Sequence, residues 1–182
     1  MSILEIKNTA ILVIDIQEKL LNAVFNKDIL LKNSEIIAKV SNILEIPVFI
    51  TEQYPQGLGN TVNLIKENLG NKCKYYEKIE FNALNNENLF NDLKDANIKN
   101  IIITGIETHI CVHQTVDALI EAGFNVTLLK DCCGSRKDTE YNTALDVMLN
   151  NGAKIKTTEM VLFELLKTAK HPNFKAIQAL IK

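Results

Sequence analysis

The sequence predicts an α/β fold: a central, mainly parallel six-stranded sheet with helices on both faces, three layers in all. Three observations carry that prediction. Short, nearly uninterrupted apolar runs recur along the chain, as in strands buried on both faces. They alternate with longer stretches whose apolar residues fall at helical spacing. The 182 residues, 47% hydrophobic and 23% charged, suit one domain with a full-sized core. Three prolines and seven glycines are scattered, so nothing reads as a linker, and residues 1–182 are expected to form a single domain.

The elements follow in order. The first strand covers residues 10–16 and is broken only by Asp15. Ile29, Ile36, Ile37, Val40, Ile43 and Leu44 then mark a helix, with Asp28 as its cap. Residues 47–51 form a second strand and 74–76 a third. Leu89, Phe90, Leu93 and Ala96 place a helix that stops at Asn97, which tolerates a left-handed conformation. The fourth strand is 100–104, and a helix over 112–122 ends at Gly123. The fifth strand is 125–129, the next helix 139–149, and the last strand 153–156. Helices over 161–168 and 174–181 finish the chain. Strands joined by such crossovers pair in parallel, through right-handed connections.

A formal net charge of −2 supplies no global attraction for phosphate backbones or anionic membranes, so neither partner is expected. No apolar run approaches the ~18 residues of a membrane span. Residues 1–8, with Glu5 and Lys7, lack the basic-then-apolar layout of a signal peptide. A cytoplasmic setting is therefore expected, with Cys73, Cys111, Cys132 and Cys133 reduced. The four cysteines show no metal-ligand spacing. The neighbours Cys132 and Cys133 form a redox pair only through a strained ring.

In doubly wound sheets, ligands bind beyond the carboxyl ends of the strands, where the strand order reverses. Two side chains stand at such ends. Asp15 closes an apolar strand, where a carboxylate is costly to bury unless it is used or paired. It reads as a site residue or as a structural cap. Cys111 lies in Thr104-Gly105-Ile106-Glu107-Thr108-His109-Ile110-Cys111-Val112, at the start of a helix. Partial positive charge at a helix start draws a thiol pKa below its ordinary ~8.5. The competing reading is a small buried core residue. A carboxylate alone would raise the thiol pKa, so an activated pair also needs a cation. Lys78 follows the third strand, but composition does not single it out among twenty basic residues. Taken alone it reads as a solvated surface lysine.

Taken together, several segments match a known pattern. They are Ile11-Leu12-Val13-Ile14-Asp15-Ile16-Gln17, Glu77-Lys78-Ile79-Glu80-Phe81 and Gly105-Ile106-Glu107-Thr108-His109-Ile110-Cys111-Val112. Asp131-Cys132-Cys133-Gly134-Ser135-Arg136 and Thr157-Thr158-Glu159-Met160-Val161-Leu162-Phe163 join them. Through these the chain resembles the isochorismatase-like cysteine hydrolase superfamily over nearly its whole length. The resemblance implies a Rossmann-like sheet and an Asp–Lys–Cys triad of Asp15, Lys78 and Cys111. It implies a cis peptide between Ile106 and Glu107, with the backbone N–H groups of Glu107 and Cys111 as oxyanion donors. The implied reaction is hydrolysis of a small amide or related C–N bond through a thioester on Cys111, with Asp15 moving the protons.

Gln17, Tyr54 and Phe81 are the expected substrate-pocket residues. The Glu107 side chain faces either the site or a subunit interface. Nicotinamidases in this superfamily carry metal-binding histidines after the second strand. Ile50-Thr51-Glu52-Gln53-Tyr54-Pro55-Gln56-Gly57-Leu58-Gly59 has none, and His109, His113 and His171 are spread elsewhere. No metal and no other cofactor is expected. The partners expected by analogy are a small-molecule substrate and further copies of the chain, as a homo-oligomer. Two alternatives stay open. One is an ether hydrolase of the isochorismatase type using Asp15 without a covalent step, against which Cys111 speaks. The other is a non-catalytic or redox-responsive module that senses through Cys111 or the Cys132–Cys133 pair.

Overall fold

The computed structural model describes residues 4–182. Its six strands are β1 (Thr9–Ile14), β2 (Val48–Gln53), β3 (Cys73–Lys78), β4 (Asn100–Ile106), β5 (Asn125–Gly134) and β6 (Lys154–Lys156). They lie in the order β3-β2-β1-β4-β5-β6, and every pairing is parallel. The chain steps one way from β1 to β3, then returns across the sheet to β4 and steps the other way. The reversal falls between β1 and β4, which is the switch point where such sheets bind ligands.

Period-two alternation distributes the side chains of β1. Ile11 and Val13 enter one core; Ala10, Leu12 and Ile14 enter the other. Every residue of β1 and of β4 is buried, as expected of strands covered on both faces. The first core is closed by α2 (Lys27–Ile43) and α8 (Thr158–Leu166) through Leu30, Ile37, Val40, Val161, Leu162 and Leu165. The second is closed by α5 (Glu87–Asp95), α6 (His113–Glu121) and α7 (Asp138–Asn150). Short helices α1 (Glu18–Leu21), α3 (Pro55–Leu58), α4 (Asn63–Lys66) and α9 (Phe174–Gln178) complete the set. No helix among the described residues is long and apolar enough to cross a membrane.

Helix α5 shows how local sequence and packing combine. The Asn86 side chain accepts from Leu89 N at 3.1 Å and caps the start. Asn97 stops the helix with φ 53°. Nine residues are too few for a stable isolated helix. Its order comes from burying Leu89 and Leu93, each contributing about 1.5–3 kcal/mol.

The structure departs from the sequence reading at several ends. Strand β3 runs on through Lys78, because Tyr76, Glu77 and Lys78 continue in register beside Thr51, Glu52 and Gln53. Strand β5 extends to Gly134 after a register shift opposite Ile103 and Gly105, an irregularity that period counting cannot detect. Helix α2 begins behind Asn26, so Asp28 sits inside its first turn, where its charge favours the helix without capping it. The last segment is a short helix followed by a 3-10 turn over Ala179–Ile181.

Candidate active site

The carboxyl ends of β1, β3 and β4 bring Asp15, Lys78 and Cys111 together. Asp15 follows β1 directly, and its backbone N donates to Thr51 O at 3.1 Å, carrying the sheet ladder one residue further. It then turns into the left-handed region, φ 53°, a conformation Asp adopts more readily than most residues. Thr51 Oγ1, on the adjoining strand, donates to Asp15 Oδ1 at 2.7 Å.

Lys78 ends β3, two strands away, and its long stem reaches past β2. Its Nζ donates to Asp15 Oδ2 at 2.5 Å, to Gln53 Oε1 at 2.7 Å and to the Glu80 carbonyl at 3.3 Å. Three acceptors match the three hydrogens of an ammonium group. The Lys78 and Asp15 side chains are 1% and 0% exposed. Lys78 is thus no solvated surface lysine; its burial requires the carboxylate partner. Removing one member of a pair this dry costs about 3–5 kcal/mol, because the survivor is left charged and unpaired.

Cys111 lies in a π-helical turn, Thr108–Val112, that leads into α6. Its thiol interacts electrostatically with both Asp15 and Lys78. Burial, then the charge of Asp15, push the thiol up to about 12, while Lys78 acts in the opposite direction. The expectation of a thiol acidified by a helix start is therefore overturned. The turn places Cys111 in a dry wall, 6% exposed, and desolvation together with Asp15 outweighs the lysine. Desolvation likewise raises Cys132 and Cys133, which are buried and unpaired thiols.

The Ile106–Glu107 peptide is cis. The Glu107 carbonyl accepts from Ile110 N at 3.0 Å and from Val112 N at 3.2 Å, closing the turn. The Glu107 carboxylate is directed at Arg136, accepting from its backbone N at 2.9 Å and its Nε at 3.0 Å. It is spent on holding the loop after β5. Gln17 is equally occupied: it receives Gln53 N at 2.8 Å and donates to Gln53 O at 3.0 Å and Gly59 O at 2.5 Å. It is fully buried and clamps the segment after β2 onto the end of β1. Tyr54 and Phe81 are each 52% exposed, and Tyr54 N donates to Lys78 O at 2.9 Å. His109 Nδ1 lies 3.0 Å from Ser135 Oγ, His113 pairs with Asp117 on α6, and His171 Nδ1 accepts from Asn173 N. Among the described residues no group of three or more His, Cys, Asp or Glu side chains is arranged to hold a metal ion.

Sequence reasoning missed Thr51, Gln53 and Arg136. A signal for the first two exists: Thr51-Glu52-Gln53 are polar residues ending the apolar strand Val48-Phe49-Ile50, at the sheet edge where ligands bind. Nothing in the sequence announces the pairing of Arg136 with Glu107.

Known proteins share this arrangement of elements. The family model described as isochorismatase domain matches residues 9–160. Isochorismatase family protein 1A of Dictyostelium discoideum is 43% identical over 175 residues, covering 93% of this chain and 84% of that protein. The solved structure of MAR1 ribonuclease from Caenorhabditis elegans superimposes with a TM-score of 0.95 at 34% identity, covering 99% of this chain and 92% of that one. YcaC from Pseudomonas aeruginosa, solved with hexane-2,5-diol and covalent acrylamide, gives 0.91 at 26%, covering 97% and 90%. YcaC of Escherichia coli, described as an octameric hydrolase of unknown specificity, gives 0.89 at 27%, covering 97% and 87%. With the sheet order, the switch point and these likenesses in agreement over nearly the full length, the chain belongs to the isochorismatase domain family.

Proposed function

We propose that this protein is a cysteine hydrolase that opens a small amide or related C–N bond through a thioester on Cys111. The observation that carries the reading is the convergence of three groups: Lys78 Nζ stands 2.5 Å from Asp15 Oδ2, and the Cys111 thiol interacts with both. The thiol is protonated at rest, so the first step is proton transfer from Sγ to Asp15 as the substrate carbonyl arrives. Each carboxylate oxygen of Asp15 accepts one bond and keeps a further lone pair for that proton. Lys78 holds the carboxylate in place and offsets negative charge as it passes to sulfur.

The thiolate adds to the carbonyl carbon, and the oxyanion accepts from the backbone N–H groups of Glu107 and Cys111. Collapse breaks the C–N bond, and Asp15 returns the proton to the departing amine. Water then gives a proton to Asp15, its hydroxide adds to the thioester, and collapse releases the acid and the Cys111 thiol, to which the proton returns. Tyr54 and Phe81 form the apolar approach to this centre for a small neutral substrate. Gln17 supports the pocket indirectly, through the Gln53 backbone. No metal or cofactor enters any step.

The acrylamide adduct of the P. aeruginosa protein supports a nucleophile in this fold, and the E. coli octamer supports a homo-oligomer here. Four free cysteines fit a reducing, cytoplasmic setting. The name of the C. elegans protein favours a second reading, RNA cleavage. One experiment addresses both. Wild type and Cys111→Ala are incubated with a panel of small amides, ureido compounds and RNA, and intact protein is weighed after acid quench. An acyl mass on Cys111 and turnover abolished by Cys111→Ala are expected. Full turnover by Cys111→Ala sinks the covalent scheme, and RNA cleavage lost in Asp15→Asn replaces it with the second reading.

A further inference from the structure

We infer that Thr115 is a positioning residue: its hydroxyl locks the loop that steadies Lys78 to the turn that carries Cys111. The inference rests on the triad reading above and goes beyond it. Thr115 lies on α6, fully buried, one helical turn after Cys111. Its Oγ1 donates to the Cys111 carbonyl at 2.6 Å and accepts from Ala83 N at 2.9 Å. A Thr hydroxyl in mid-helix often bonds the carbonyl four residues back. Here the same oxygen also satisfies a donor from a different segment, so the bond joins two elements.

That segment matters because of what else it holds. The Glu80 carbonyl, three residues before Ala83, takes one of the three Lys78 hydrogens. Asn82 caps the turn Ala83–Asn85 through Leu84 N at 2.9 Å, and Asn86 Nδ2 returns to the Glu77 carbonyl at 3.0 Å. The loop is thus tied to β3 through the Lys78 side chain and the Glu77 carbonyl, and to α6 through Ala83. A ring of bonds results: the Cys111 backbone to Thr115, Thr115 to Ala83, the loop to Lys78, and Lys78 to Asp15, which faces the Cys111 thiol. Thr115 is the link in that ring that lies in neither the triad nor the loop. Without it, the spacing between ammonium and sulfur is set only by packing. Catalytic geometry tolerates little such drift.

The isosteric pair Thr115→Val and Thr115→Ser separates positioning from filling space. Valine removes the oxygen and leaves Ala83 N unsatisfied in a buried place, whereas serine keeps the oxygen. The readout is the pH profile of Cys111 alkylation by iodoacetamide, followed by peptide mass spectrometry so that Cys132 and Cys133 are counted apart. Thr115→Val is expected to move the profile upward by about half a unit to one unit, slowing alkylation about three- to tenfold at a fixed pH below it. Thr115→Ser is expected to stay within about twofold of wild type. A purely structural role would lower the melting temperature of Thr115→Val and leave the profile where it was; that result overturns the inference.

Lys78→Met, or Asp15→Asn should that change not fold, serves as the reference; the first is expected to move the profile up and the second down. If the reference leaves the profile unmoved, the triad reading itself fails. If the reference moves it and a folded Thr115→Val does not, only the role of Thr115 fails. Should Thr115→Val not fold, Ala83→Pro removes the same donor from the loop side, and an unmoved profile there overturns the inference equally.

Discussion

At the residue scale, burial and the neighbouring carboxylate favour the protonated form of Cys111. Its folded pKa stands near 12, raised first by burial and then by Asp15, against ~8.5 for a free cysteine. The sign follows from proton counting. Between those two values the folded state holds a proton that the unfolded state has lost. The stability contribution is therefore complete below the unfolded value and is lost as pH rises toward the folded one. The slope is up to about 1.4 kcal/mol per pH unit for one such group. Urea midpoints between pH 9 and 11 should fall in the wild type and fall less steeply in Cys111→Ala, with Cys132 and Cys133 supplying the rest; equal slopes would contradict the dry thiol. A second prediction concerns Thr51. Thr51→Val leaves Asp15 Oδ1 without its 2.7 Å donor. Losing a buried hydrogen bond to a charged group costs about 1.5–3 kcal/mol. The variant should lose that much in a urea titration and should also alkylate at Cys111 with a displaced pH profile.

At the element scale, β1 and β4 fit together only because one position has no side chain. A Cβ on Gly105 would stand 2.5 Å from the Ile14 carbonyl oxygen and 2.7 Å from Ile14 Cβ. Backbone cannot yield there without moving Asp15, the next residue. Gly105→Ala should lower stability by more than ~2 kcal/mol, seen as an earlier urea midpoint, and blunt Cys111 alkylation. An unchanged midpoint would mean that the two strands slide apart freely.

Strands of this kind are legible in the sequence. Ile101-Ile102-Ile103 and Ala10 to Ile14 are apolar without alternation, and only a two-faced burial explains that. Asn97 and Gly123 marked their helix ends correctly through the left-handed conformation they now show. Other parts were illegible for a physical reason. Gln17 and Gln53 exchange hydrogen bonds across neighbouring strands, and nothing local in either segment encodes the exchange. The extension of β3 that seats Lys78 depends on pairing with β2, since Tyr75-Tyr76-Glu77-Lys78 alone does not distinguish strand from loop. Resemblance rather than composition groups Asp15, Lys78 and Cys111, and the raised thiol pKa depends on the three-dimensional wall around Cys111.

At the scale of the whole molecule, two cores lie on either side of one sheet, and the site occupies the edge where both can be felt. Tyr54, Ile79 and Phe81 stand half or more exposed along that edge, an amount of apolar surface that oligomers commonly cover. Light scattering on a size-exclusion column should give an integral multiple of the protomer mass greater than one. A lone protomer at micromolar concentration would remove the assembly part of the proposal.

The return from β3 across the sheet to β4 has a consequence in time as well as space. Lys78 and Asp15 meet although 63 residues separate them, and Cys111 comes from a third, later segment. Such distant contacts close slowly, after local helices have formed. The site draws on three strands that are distant in sequence. Before β4 docks beside β1, Cys111 is an ordinary cysteine with a pKa of ~8.5, and folding carries it from an accessible, readily alkylated thiol to a dry one held near Asp15 and Lys78.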